Sequence, residues 1–157
     1  MTYHRFEDLP VWQDAAGLAQ SVLEFTGDDI FRHHYGLRNQ LEQAALSVSN
    51  NIAEGFERGG NNELLAFLYI SRGSAGEVRS MLRVLYSWKV FSNHKNHIAA
   101  LTVCCETISK QLYGWIEQVK RSEFRGQRHL NVVTKAKASR SILANHASEE
   151  TNKKRRS

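Results

Sequence analysis

Apolar side chains return every three or four positions through four successive blocks between residues 10 and 120, and no other feature constrains the fold of this chain as strongly. That period belongs to a helix with one buried face, because a half-buried strand alternates at every second residue. Pro10 is the only proline among 157 residues, so nothing further along removes an N–H from a helical ladder. The spacing predicts helix 1 from Asp8 or Leu9 to about Thr26, with Asp8 as its cap and Pro10 in the first turn. Helix 2 is predicted over 35–57, with Leu37, Leu41, Ala44, Ala45, Val48, Ile52 and Phe56 in one sector. Helix 3 follows over about 62–90, and helix 4 over about 95–120 with the cleanest stripe, Ile98, Leu101, Cys105, Ile108, Leu112, Trp115, Ile116 and Val119. Short polar runs at Gly27-Asp28-Asp29, Gly59-Gly60-Asn61-Asn62 and Ser92-Asn93-His94 are the expected turns. Four amphipathic helices with short connections predict an all-α protein, an antiparallel up-down four-helix bundle over residues 1–120.

The charge is unevenly spread along the chain. Residues 1–120 hold 11 Lys+Arg against 13 Asp+Glu, a net of −2, whereas residues 121–157 hold 10 against 3, a net of +7. The segment 121–157 therefore reads as a basic, flexible tail, with a weak fifth helix expected around Val133 to Ala147. Its Arg121, Arg125, Arg128, Lys135, Lys137 and Arg140 are candidates for contacts to nucleic acid, the alternative being a solvated charge run that aids solubility. Cys104 and Cys105 are adjacent, poorly placed to bridge each other, and consistent with a reducing compartment. No apolar run has signal-peptide or membrane-spanning length, so a cytoplasmic protein without a membrane partner is expected.

Catalytic signatures are missing from the sequence. No Gly-rich loop precedes a Lys-Ser/Thr pair, no Gly-x-Ser-x-Gly or Cys-x-x-Cys occurs, and no glutamate has a histidine three residues later. His94-x-x-His97 has ligand-like spacing but sits at a turn without matching carboxylates. No enzyme activity, metal or cofactor is expected. Two helical stripes are more informative. On helix 2, Gln40, Gln43, Ser47, Asn51, Glu54 and Arg58 form a polar stripe beside the apolar one, suited either to a neighbour that satisfies its amides and hydroxyls or to hydration. On helix 3, Arg72, Arg79 and Arg83 align on one flank, where they can meet phosphates or acidic side chains.

Within helix 2 the string Tyr35-Gly36-Leu37, then Ala44-Ala45-Leu46-Ser47-Val48, then Asn51-Ile52-Ala53-Glu54-Gly55 with Arg58 following, resembles the bacterial four-helix-bundle proteins known as 23S rRNA intervening-sequence proteins. Phe6-Glu7-Asp8-Leu9 with Val11-Trp12 is similar to their opening. Glu63-Leu64-Leu65-x-Phe67-Leu68 with Gly73-Ser74-Ala75-x-Glu77 is similar to their third helix. The resemblance implies a homopentameric bundle in the superfamily of the accessory variability proteins of diversity-generating retroelements, which bind a reverse transcriptase and its RNA. The chain departs from those relatives, whose bundles are strongly basic, in its net-negative bundle, and Gln43 stands where the intervening-sequence proteins usually place a basic residue. The matched residues Asn51, Glu54, Gly55, Arg58 and Glu77 are expected to fix the helix 2–helix 3 hairpin, with Glu54 or Glu77 paired to Arg58. The function expected is a non-enzymatic, oligomeric adaptor for RNA or a ribonucleoprotein. The alternatives are a retroelement accessory protein or a protein-only scaffold.

Overall fold

A computed structural model describes residues 3–122, and these form four long helices joined by tight, mostly 3-10 connections. They are α1 (Pro10–Thr26), α2 (Tyr35–Glu57), α3 (Asn61–Ser87) and α4 (Lys95–Arg121), with no strand among the described residues. α1 packs on α2, α2 on α3, α3 on α4, and α4 returns to α1, which closes an up-down four-helix bundle. The predicted stripes meet in one core. Val22, Leu41, Val48, Ile52, Leu68, Leu82, Leu85, Ile98 and Leu112 are all fully buried. None of the described helices is long and apolar enough to cross a membrane.

Pro10 holds the first helical position, but Asp8 is not the cap. Asp8 instead closes a 3-10 turn (Phe6–Asp8), and extended Leu9 precedes the helix with no side-chain cap. That turn lays Phe6 edge-on against Trp12, with ring centroids 5.1 Å apart, an aromatic contact in place of a capping carboxylate. Beyond Gly27, Asp28 Oδ1 accepts from the Ile30 N–H at 3.0 Å and starts a second 3-10 turn that delivers Phe31 into the core.

α3 stops at Ser87, three residues short of the predicted Val90, because Trp88 is extended (φ −83, ψ 123). Continued at 100° per residue, the helix would have carried Phe91 roughly opposite to Leu68, Leu82 and Leu85. Breaking at Trp88 turns Phe91 inward through a 3-10 stretch (Lys89–His94), where its ring lies 5.3 Å from Phe31 and 6.4 Å from Phe25. His94 and His97 join this aromatic end. The His97 ring lies tilted with its centroid 4.9 Å from that of Phe25, and His94 Nε2 lies 3.4 Å from Asp28 Oδ2 while its Nδ1 is buried with no hydrogen-bond partner among the described residues. Burial of Phe91 thus outweighs three residues of helix.

Polar ties cross the helices. The buried Thr26 hydroxyl donates to Glu42 at 2.6 Å, joining α1 to α2, and Gln111 Nε2 donates to Asp14 at 2.7 Å, joining α4 to α1. Asn61 Nδ2 donates to Ser122 Oγ at 2.7 Å, so the start of α3 holds the end of α4. Both cysteines are free thiols, Cys104 exposed and Cys105 buried, where burial pushes the Cys105 thiol up to about 12.

Candidate nucleic-acid interface

The polar stripe of α2 divides between packing and surface. Ser47 Oγ meets Ser74 Oγ of α3 at 2.9 Å, Asn51 Nδ2 donates to the Ser47 carbonyl and hydroxyl at 2.7 and 2.9 Å, and Ser71 Oγ donates to the Val48 carbonyl at 2.8 Å. The Ser47–Ser74 and Ser71–Val48 bonds tie α2 to α3, and the Asn51 bonds stay within α2. Gln43, Ser47, Asn51 and Glu54 of the stripe, with Asn50 and the exposed Leu46, also line an open groove of about 390 Å³.

Glu54, Gly55 and Arg58 sit where α2 turns into α3. A β-carbon at Gly55 would stand 2.7 Å from Phe67 Cβ, so glycine permits the close approach of α2 to α3. Arg58 pairs with Glu54 at 2.6 Å, reaches Glu63 of α3 at 3.6 Å, and lies over the Phe67 ring at 4.9 Å. Gly59 turns the chain with a φ of 73°, the left-handed region glycine enters without strain. Glu77 lies apart from them. It stands about four turns along α3 from Glu63, is exposed, and enters no ion pair among the described residues. Glu63, at the start of α3, is the second carboxylate beside Arg58.

Arg72, Arg79 and Arg83 fall on the flank of α3 that faces α4. None of the three enters an ion pair among the described residues, whereas Arg5, Arg32, Arg38 and Arg58 each do. Arg72 is instead stacked over the ring of Tyr113 at 5.1 Å. Two more cation–tyrosine pairs bridge the same helices: Lys120 over Tyr69 at 5.5 Å and Lys95 over Tyr86 at 5.3 Å. Tyr69 and Glu117 hold the Lys120 ammonium above its usual range. From one end of the seam to the other the order is Tyr69 with Lys120, Arg72 with Tyr113, then Arg79, Arg83, and Tyr86 with Lys95. The carboxylates on the α4 side of this face are Glu106, half-buried, and Glu117, already held by Lys120 at 2.9 Å.

Charge follows the same division. Residues 3–60 carry 4 Lys+Arg against 9 Asp+Glu, a net of −5, and residues 61–121 carry 8 against 4, a net of +4. The bundle is electrically two-sided, with its negative half on α1 and α2. Its small overall charge therefore says little about what the α3/α4 face attracts. Arg121 ends α4 and is exposed; Arg125, Arg128, Lys135, Lys137, Arg140 and the expected fifth helix lie outside the described residues. Tyr69 and Tyr113 were missed in the sequence, although Tyr69 and Tyr86 bracket the three arginines on α3 at a helical spacing. Among the described residues no group of three or more His, Cys, Asp or Glu is placed to hold a metal.

Compared with known proteins, the chain matches the model of the family described as 23S rRNA-intervening sequence protein over residues 7–114, from the first 3-10 turn through most of α4. No curated protein matches it.

Proposed function

The chain belongs to the 23S rRNA-intervening sequence protein family, and from that premise we propose that it is a non-enzymatic, cytoplasmic, self-associating bundle that binds RNA through its α3/α4 face and its basic C-terminal segment. The observation that carries this reading is the row of Arg72, Arg79 and Arg83, left without carboxylate partners among the described residues on the positive side of a two-sided bundle. An arginine with no internal partner keeps its full charge for a phosphate, and its planar donors suit phosphate oxygens. Residues 121–157 add a net of +7 and raise the encounter rate with a polyanion.

Self-association, as a homopentamer on the family resemblance, uses the other flank of α3. Ile70 and Val84 are exposed there, and a β-carbon at Gly73 would meet nothing within 4 Å, so packing inside one bundle gives no reason for glycine at mid-helix. Beside them lies the α2 groove with exposed Leu46. Several copies would then present several cationic faces on one particle, and avidity would multiply a modest single-site affinity. In the narrower form of this reading, the RNA is presented by a reverse transcriptase, as for the accessory variability proteins.

Binding of a labelled RNA by fluorescence anisotropy across a salt series tests the reading. Affinity is expected to fall steeply with salt, and an Arg79→Gln/Arg83→Gln double variant to flatten that slope by about two counterions. Salt-independent binding, or a double variant that behaves as the parent, counts against it.

A further inference from the structure

We propose that the α3/α4 face is built for single-stranded RNA, with unpaired bases stacked on Tyr69 and Tyr113 at one end and on Tyr86 at the other while Arg79 and Arg83 between them hold phosphates. This inference rests on the reading of that face as an RNA site and specifies which form of RNA it takes.

Three tyrosine rings stand partly in solvent along this seam. Tyr69, Tyr113 and Tyr86 are 46%, 52% and 40% exposed, and each lies under a cation donated by the neighbouring helix. Such a pair offers a base two stacking surfaces, the ring and, at Tyr113, the flat guanidinium of Arg72. The arrangement along the seam separates two kinds of contact. Tyr69 and Tyr86 are 17 residues apart on α3, or roughly 25 Å at the helical rise. Arg79 and Arg83 stand between them one turn apart, with their β-carbons about 6 Å from each other. Rings at the ends and bare cations in the middle match a strand that crosses the face with bases turned in at both ends and its backbone against the centre.

A duplex cannot use these rings. Its bases are stacked on one another, the major groove of A-form RNA is too narrow for side chains, and the shallow groove offers riboses and base edges in place of base faces. An acidic peptide would satisfy the arginines but would leave the ring faces without a stacking partner.

The full chain is titrated with three probes: a labelled single-stranded RNA of about 12 nucleotides, the same RNA annealed to its complement, and a glutamate-rich peptide. The single strand is expected to bind about tenfold or more tighter than the duplex. Tyr113→Leu and Tyr86→Leu are each expected to lose about tenfold on the single strand with the salt slope unchanged, and Tyr113→Phe to retain binding. Arg79→Gln is expected to weaken both RNAs and lower the slope by about one. Upfield shifts of the tyrosine ring protons on addition of RNA report stacking in the unaltered protein, whether or not a leucine variant folds. Equal affinity for strand and duplex with neutral Tyr→Leu variants, while Arg79→Gln still weakens binding, overturns the single-strand inference and leaves RNA binding standing. Preference for the peptide, or indifference of both RNAs to Arg79→Gln, overturns the two together.

Discussion

Gly55 of α2 lies against Phe67 of α3 so closely that a β-carbon at 55 would stand 2.7 Å from Phe67 Cβ and 3.3 Å from Leu64 Cδ1. The obstacle at Phe67 is fixed to the backbone and cannot swing aside. Gly55→Ala gains about 1 kcal/mol of helix propensity but forces the helices apart, at a cost of about 1–3 kcal/mol. The variant is expected to melt below the parent. Gly17→Ala, where a β-carbon meets nothing within 4 Å, is expected to melt above it by about 0.5–1 kcal/mol of stability. Thermal melts by circular dichroism compare the three, and a Gly55→Ala protein as stable as Gly17→Ala would show that the hairpin has room to spare.

Glu42 makes stability depend on acid pH. Burial alone would raise its pKa, but the Thr26 hydroxyl at 2.6 Å and the Arg38 guanidinium at 2.8 Å outweigh that and hold it below the ordinary carboxylate value. A carboxylate with a depressed pKa in the folded state stabilises above its unfolded pKa, and that stability is lost as pH falls through the folded one. Glu42→Gln is therefore expected to be less stable than the parent at neutral pH, with the gap closing in acid. Denaturant titrations at neutral and strongly acid pH measure it; a gap that stays constant removes the ionised Glu42 from the account.

The two adjacent thiols should differ sharply in reactivity. Cys104 is exposed, whereas Cys105 is buried with its thiol pushed up to about 12. Since the thiolate is the nucleophile, native protein is expected to take up one equivalent of iodoacetamide at Cys104, and denatured protein two. Peptide mass mapping reads the site. Modification of Cys105 under native conditions would mean that the α4 stripe opens on the labelling timescale.

Ending the chain at Ser122 separates the basic segment from the bundle. Ser122 keeps its bond to Asn61 and the apolar stripe of α4 is complete at Val119, so the shortened protein is expected to melt as the full one does. It loses the nine basic residues beyond Arg121. RNA affinity is expected to drop tenfold or more with a shallower salt slope, and the remainder to stay sensitive to Arg79→Gln. Unchanged affinity would assign the whole interaction to the α3/α4 face.

Periodicity alone located all four helices, because burying one face of a helix forces a pattern that local sequence cannot hide. It overran at Val90, since the event that ends α3 is a distant one: Phe91 is claimed by Phe25 and Phe31, residues some sixty positions earlier. Arg58 with Glu54 was readable as an i, i+4 pair, whereas the Glu63 contact needs the turn geometry at Gly59 before it can be seen. The arginine flank was visible on a helical wheel. Its partners from α4 were not, because only the register of two antiparallel helices brings Tyr113, Lys95 and Lys120 beside α3.

The ring of helices has one seam between segments remote in sequence, where α1 meets α4 and Gln111 reaches Asp14. All other neighbouring helices are also consecutive in the chain, so most native contacts form between residues joined by a few connecting positions. Average contact order is low, and folding on the order of microseconds to milliseconds follows. The α2–α3–α4 unit can assemble by zipping outward from its two turns, leaving α1 to dock last and, under mild denaturant, to detach first. Amide exchange should accordingly find its least protected helical hydrogens in α1, the helix without a single Lys or Arg.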